Sequence, residues 1–187
     1  MPSLSETDRR SLLELARRAV LDAVRNGELP EPIPHQGIFA ERRGVFVTLH
    51  MHGRLRGCIG VVEPEERLGE AVVRCAASAA LRDPRFPSLR SDELAALQIE
   101  LSLLSPASPI TRESIEIGCH GLLVTLGQHR GLLLPQVALE HRLDAQKFLE
   151  ETCRKAGLPR EAANDPQLQI LGFTCEVFAE DQRRITN

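Results

Sequence analysis

The sequence contains no tryptophan and no tyrosine, and only six phenylalanines among its 187 residues. The core must therefore be built from aliphatic side chains and alanine, which the 42% hydrophobic content can supply. The best platforms for stacking nucleic-acid bases are also missing. The net charge is −3, and the basic residues are scattered along the chain, so the composition argues against a nucleic-acid partner.

Long apolar runs and paired cysteines are absent from the sequence as well. No apolar run reaches the roughly 18–20 residues that span a bilayer, and the polar first ten residues predict no signal peptide. The five cysteines are odd in number and far apart, and none has CxxC spacing. This pattern supports neither a zinc knuckle nor a disulfide framework. We therefore expect reduced thiols in a cytoplasmic protein without a membrane partner.

Hydrophobic periodicity predicts three long helices. The first runs from the N-cap candidate Ser5 to a C-terminal signal at Gly27. The second covers residues 68–80, and its apolar stripe is made mostly of small side chains, so another element should pack closely against it. The third lies near residues 143–156.

Alternating apolar and polar residues predict a hairpin from residues 44–49 and 55–62 around a turn at His52-Gly53. A two-residue turn at that point would place Val47 opposite Cys58, whereas a slip of one residue would exchange the two faces of the strand. The same alternation predicts further strands at residues 97–104, 121–126, 130–134 and 168–178.

Two proline-containing connections indicate an inserted subdomain. The predicted fold is α+β with two subdomains, each with an antiparallel sheet and flanking helices. The larger subdomain comprises residues 1–106 and 166–187 and contains both termini, and the smaller one comprises residues 107–165. A cleft between two such subdomains is a usual place for a ligand.

Residues 55–60, with the sequence LRGCIG, are the most informative segment. Arg56 and Cys58 are two residues apart on a predicted strand, so a thiol and a guanidinium should share one face. Gly57 and Gly60 remove bulk beside Cys58 and allow another surface to approach. The segment is therefore interpreted as a site.

This motif resembles the hallmark of the AMMECR-type family, also called AmmeMemoRadiSam system protein A. Other segments resemble further motifs of that family in the same order: DPRFPSL at 83–89, IELSLL at 99–104, IGCHGL at 117–122, RGLLLPQVA at 130–138 and KAGL at 155–158. Together they cover roughly residues 10–180, so chance similarity is a poor explanation. Three positions depart from the family pattern: Ser88 replaces a proline, Cys119 replaces a basic residue, and Leu143 stands where tryptophan is common.

The resemblance implies a two-subdomain α+β fold with a cleft lined by the LRGCIG motif. It implies no settled biochemical activity. The cleft is expected to hold a peptide or small-molecule substrate. The second family name implies a pathway with a Memo-like protein and a radical SAM protein as partners.

A catalytic interpretation makes Cys58 a nucleophile. The guanidinium of Arg56 would favour its thiolate, His120 would act as the base and Glu100 would orient that histidine, by analogy with known triads. The alternative is that Cys58 only packs, as free cysteines often do. Glu100 would then pair with Arg56 or with Arg85.

The substrate-binding candidates are the residues of the hallmark and of two later motifs: Arg56, Gly57, Gly60, Arg85 and Gln136. His50 and His52 have a spacing that some metal sites use. No other ligand lies nearby in the sequence, so no metal is predicted. Gly57 and Gly60 fit no phosphate-loop pattern, and no cofactor is predicted.

The sequence leaves three functions open. The protein binds a substrate in its cleft as part of a modification pathway, it is a non-catalytic adaptor whose cleft holds a protein partner, or it is an enzyme with Cys58 as nucleophile. The sequence does not decide whether the protein is an enzyme, nor its oligomeric state.

Overall fold

The computed structural model describes residues 4–31 and 33–181. These form four α-helices and eight strands: α1 (Glu6–Asn26), β1 (Val45–Met51), β2 (Arg54–Val61), α2 (Leu68–Leu81), β3 (Leu97–Leu104), β4 (Ser108–Pro109), β5 (Gly121–Leu126), β6 (His129–Leu133), α3 (Pro135–Glu140), α4 (Ala145–Lys155), β7 (Gln169–Phe173) and β8 (Cys175–Ala179). The strands make two four-stranded antiparallel sheets with flanking helices. The predicted α+β class is confirmed.

The chain divides into two compact units. The first unit comprises Met1–Leu104 and Glu176–Asn187, and the second unit comprises Ser105–Cys175. Within the described part of the chain, no helix is both long enough and apolar enough to cross a membrane.

The first unit places α1 and α2 against one face of a sheet with the strand order β2-β1-β3-β8. The Ser5 side chain accepts a hydrogen bond from the backbone N–H of Asp8, and Gly27 ends α1 with a φ of 72°. The first helix therefore begins and ends where the sequence predicts. Val45, Val47 and Leu49 of β1 are buried under the helices.

The opposite face of this sheet, which turns away from α1 and α2, is here called the outer face. Alternate residues of a strand point to opposite faces, so Phe46, Thr48 and His50 of β1 lie on the outer face. Cross-strand partners share a face, which adds Cys58 and Gly60 from β2 and Gln98, Glu100 and Ser102 from β3.

The β1–β2 pairing corrects the register that the sequence predicts. The turn lies at His52-Gly53 as expected, and both residues have positive φ, as a tight hairpin turn requires. Cys58, however, faces Thr48 instead of Val47. The pairing shifts by one residue because β2 carries a bulge beside Leu49 and His50, with Arg56 as the extra residue.

The second unit contains a sheet with the order β4-β7-β5-β6, and α4 packs on it. The predicted strand at 168–178 is two strands. Residues 169–173 pair with β5, and therefore belong to the second sheet. The Ser105 backbone N–H donates to the Thr174 carbonyl, and the Thr174 N–H donates to the Ser105 side-chain hydroxyl. The predicted boundary at residue 166 is therefore wrong, and the chain enters the first unit at Glu176.

Gly57 sets the distance between β2 and α2. A Cβ atom at this position would stand 2.2 Å from the carbonyl oxygen of Ala79. The contact partner is helix backbone, which cannot move aside as a flexible side chain can. The small stripe of α2 therefore has the close neighbour that the sequence predicts, and that neighbour is the hallmark strand.

Replacing Gly57 by alanine should lower the free energy of unfolding by about 2–3 kcal/mol, since the added methyl overpacks this contact. Urea denaturation followed by circular dichroism measures the loss. The matched control is Ile59→Val on the same face of β2, which removes a methyl group and should cost about 1 kcal/mol. A Gly57→Ala variant as stable as the control would contradict this account of the glycine.

Candidate functional site

Three polar side chains form a row across the outer face of the first sheet. Thr48 lies directly opposite Cys58 on one side and Glu100 on the other. The Thr48 hydroxyl donates a hydrogen bond of 3.3 Å to the Cys58 sulfur. Neighbouring strands are about 4.8 Å apart, so the thiol and the carboxylate stand on either side of one hydroxyl group.

His50 lies next to this row on the same face. Its Nε2 atom is 3.9 Å from an Oε atom of Glu100, which makes an ion pair only when the imidazole is protonated. The same Nε2 atom is buried and has no hydrogen-bond partner among the residues that the structure describes. The outer face therefore carries a thiol, a hydroxyl, a carboxylate and an imidazole.

The backbone of Cys58 is held by side chains of the loop that follows α2. β2 is the edge strand of its sheet, so its outward N–H and C=O groups need partners. The Cys58 N–H donates to Asp83 at 2.8 Å, and the Arg85 guanidinium donates to the Cys58 carbonyl at 3.2 Å. Asp83 and Arg85 also form an ion pair of 2.7 Å. We call these two side chains the edge clamp.

The charge of Asp83 is stabilised although its side chain is only 2% exposed. The hydrogen bond from Arg85, helped by the backbone N–H groups of Cys58 and Arg85, holds the pKa of the Asp83 carboxyl well below its usual value against the opposing effect of burial. The hydrogen bond to Asp83 in turn raises the pKa of Arg85. Half of the Arg85 side chain is exposed, and its guanidinium lies over the ring of Phe86.

Arg56 has different partners from those expected for a thiol-activating cation. It is buried, and its guanidinium makes two hydrogen bonds of 2.8 and 3.0 Å to Glu93 and one of 2.9 Å to the Pro87 carbonyl. The bond from Arg56 lowers the pKa of Glu93. The guanidinium that contacts Cys58 is that of Arg85, and it reaches the backbone carbonyl.

Gly60 also has a structural role. A Cβ atom there would stand 2.3 Å from the ring of Phe46, its cross-strand partner. The aromatic ring therefore occupies the space that the glycine leaves on the outer face.

The remaining predicted site residues, His120 and Gln136, lie in the second unit. The Nδ1 atom of His120 accepts a hydrogen bond from the Glu116 backbone in a turn. The Gln136 side chain is 4.0 Å from the Cys175 sulfur through its amide nitrogen, and its amide oxygen is buried without a partner among the described residues. Of the three catalytic candidates, the outer face thus brings together Cys58 and Glu100, and the triad with His120 stays a prediction.

Cys75, Cys119 and Cys153 differ from Cys58 in their burial, whereas Cys175 is half-buried as Cys58 is. Burial raises the pKa of the Cys75 thiol to about 11 and also raises the pKa of Cys153. Cys119 is exposed, whereas Cys58 is half-buried. The described residues contain no group of three or more His, Cys, Asp or Glu side chains that could hold a metal ion.

Sequence reasoning missed three participants: Thr48, His50 and Asp83. Thr48 and His50 are assigned to the face of Cys58 only once the bulge at Arg56 is known. Asp83 is the first residue of the DPRF segment, whose resemblance to a family motif is the signal that could have connected it with the hallmark strand.

The comparisons with known proteins agree with this fold. The AMMECR1 family model matches residues 13–178. A protein of Methanothermobacter thermautotrophicus is 44% identical over 188 residues, which cover 95% of this chain and 97% of the relative. Protein Mbar_A1807 of Methanosarcina barkeri is 44% identical over 169 residues, which cover 85% of this chain and 84% of the relative.

A solved structure is also similar. The crystal structure of the uncharacterized protein PH0010 from Pyrococcus horikoshii matches with a TM-score of 0.85 and 38% identity, covering 95% of this chain and 94% of that one. The chain therefore belongs to the AMMECR1 family, and the resemblance identified from its motifs is confirmed.

Replacing Asp83 by asparagine should remove the ion pair of the edge clamp and lower the free energy of unfolding at pH 7 by about 2 kcal/mol. Because the pKa of Asp83 is lowered on folding, its contribution is present above the unfolded value of about 3.9 and is lost as the pH falls through the folded value. The difference in the free energy of unfolding between wild type and variant should therefore become smaller below pH 4.

Denaturant titrations at pH 7 and pH 3 measure this effect. Asp92→Asn is the control, because the Asp92–Arg90 ion pair is exposed and such pairs contribute little. If the free energies of unfolding of wild type and Asp83→Asn differ by the same amount at pH 7 and at pH 3, the stabilising role of the edge clamp is contradicted.

Proposed function

We propose that this AMMECR1-family protein binds a peptide or small-molecule substrate on the outer face of its first sheet, with the Cys58 thiol at the point of contact. The observation that carries the proposal is the row of Cys58, Thr48 and Glu100 on that face. The opposite face of the same strands is apolar and buried under helices. A polar row on the outer face is available for recognition.

The chemistry of the row suits a polar ligand with both donors and acceptors. Glu100 accepts hydrogen bonds when ionised, and the Thr48 hydroxyl both donates and accepts. The amide groups of a peptide, or the polar groups of a small metabolite, complement this set. The edge clamp supports the face by fixing the backbone beside the thiol.

An enzyme with Cys58 as nucleophile is the second candidate. It is favoured by the contrast between Cys58, which is half-buried and accepts a hydroxyl hydrogen bond, and the sealed thiols Cys75 and Cys153. A thiol must reach its substrate to attack it. A non-catalytic adaptor uses the same face without a reaction.

Alkylation of the folded protein tests the accessibility that both functions need. Chloroacetamide at pH 8 should modify Cys58 and Cys119, and it should spare Cys75 and Cys153 because they are buried and their pKa values are raised. Mass spectrometry of the digested protein identifies each modified thiol. A Cys58 that reacts only after denaturation would remove the nucleophile and would weaken the binding proposal.

Binding to a peptide array and to a metabolite panel tests the substrate face. Thr48→Val and Glu100→Gln should each weaken a specific interaction about tenfold, as expected for one lost hydrogen bond to a polar group. Glu14→Gln, an exposed position on α1, is the control. If wild type, the two outer-face variants and the control bind a ligand equally well, the binding site lies elsewhere.

Cys58→Ser separates the enzyme from the adaptor. In an enzyme this variant should lose turnover, whereas an adaptor should keep its affinity for the partner.

We further propose a pathway role with a Memo-like protein and a radical SAM protein, which the family resemblance supports. Co-purification of the protein with such partners from one host, with and without Cys58→Ser, tests it. Absence of a complex together with an unchanged product of the radical enzyme would count against the pathway.

A further inference from the structure

We infer that His50 and Glu100 form the acid–base pair that acts on Cys58. This inference rests on the proposed function of the outer face and assigns a role to a histidine for which the sequence shows only a spacing that some metal sites use.

The unsatisfied nitrogen of His50 is the first observation. Its Nε2 atom is buried and makes no hydrogen bond with any described residue, although buried polar atoms are nearly always paired. The nearest acidic oxygen, on Glu100, is 3.9 Å away. A proton on the imidazole would convert this contact into an ion pair, so the site is arranged to accept a positive charge on His50.

The position relative to Cys58 is the second observation. Cys58 is the cross-strand neighbour of Thr48, and His50 is two residues further along β1 on the same face. Such diagonal neighbours are about 7–8 Å apart. Both side chains extend from the same face, so a water molecule or a substrate group between them would relay a proton, as a general base requires.

A cavity beside His50 is the third observation. It has a volume of about 490 Å³ and lies at the end of the first sheet, where the hairpin turn, α1 and the start of β3 meet. The cavity gives a small molecule or water access to the imidazole, and its lining includes neither Cys58 nor Glu100. The charged and titratable groups lining the cavity around His50 are Arg17, Arg25, His52, Glu180 and Asp181, and Arg17 is paired with Glu180.

The other histidines suit the role less well. His120 already accepts a backbone hydrogen bond through Nδ1 and lies in the second unit. His52 occupies an exposed turn position with positive φ. Neither has a carboxylate partner among the ion pairs of the described residues.

The pair would act in a simple order. With the Nε2–H of His50 turned toward Glu100, the Nδ1 atom would take the proton of the Cys58 thiol through a bridging water, and the sulfur would keep the electron pair. With chloroacetamide as the electrophile, the sulfur–carbon bond forms while the carbon–chlorine bond breaks and chloride leaves. The imidazolium then returns its proton to solvent. Glu100 is a positioning residue in this scheme, because it acts through His50.

The pH profile of Cys58 alkylation tests the inference in the full-length protein. Chloroacetamide rate constants for the Cys58 peptide are measured by mass spectrometry between pH 5.5 and 9. Wild type should react roughly tenfold faster than His50→Gln at pH 7, and Glu100→Gln should react at an intermediate rate. The three rates should converge at pH 9, where a free thiol ionises without a base. His52→Gln and His120→Gln are the matched controls.

A His50→Gln profile that overlays the wild-type profile overturns the inference, as does a loss of rate at pH 7 in His120→Gln alone. His50→Asn is the second variant, and thermal melts confirm that each variant is folded. The proposed function is judged separately, by whether a bound peptide or metabolite protects Cys58 from alkylation. Protection with no effect of His50→Gln leaves the binding face standing and removes only the acid–base pair.

Discussion

The edge clamp is the interaction on which the candidate site depends. β2 is an edge strand, and the outward N–H and C=O groups of Cys58 would otherwise be open to water or to another strand. Asp83 and Arg85 occupy both groups with one ion pair, so they act in the place of a neighbouring strand. The same loop supplies the Pro87 carbonyl that binds Arg56. One short loop thus fixes the hallmark strand at Arg56 and at Cys58, the residue that carries the thiol.

The hallmark motif divides into packing positions and one chemical position. A side chain at Gly57 would collide with the backbone of α2, and one at Gly60 would collide with the ring of Phe46. The buried guanidinium of Arg56 donates hydrogen bonds to Glu93 and to the Pro87 carbonyl. The backbone bonds of Cys58 are independent of its side chain, because any residue except proline can make them. The thiol, like the exposed Leu55 side chain, is therefore a part of the motif that the fold does not account for.

Local patterns predicted most of the fold, since helix caps, apolar periodicity and turn residues act over a few positions. The first helix, the hairpin turn at His52-Gly53 and the strand at 97–104 follow from such signals. The register of β2 did not, because the bulge at Arg56 arises from distant partners that bury its guanidinium. The break at Thr174 likewise depends on hydrogen bonds with Ser105, about seventy residues earlier in the chain.

The site was predicted in part for the same reason. The pattern selected Cys58 and Glu100 as chemical groups, and antiparallel pairing places them on one row through Thr48. The histidine beside them was not selected, because a one-residue error in register assigns every side chain of a strand to the wrong face. A bulge has two effects here: it turns Arg56 toward a buried carboxylate, and it sets Cys58 opposite a hydroxyl instead of a core valine. The bulge therefore determines whether the thiol of this strand packs in the core or faces a polar surface.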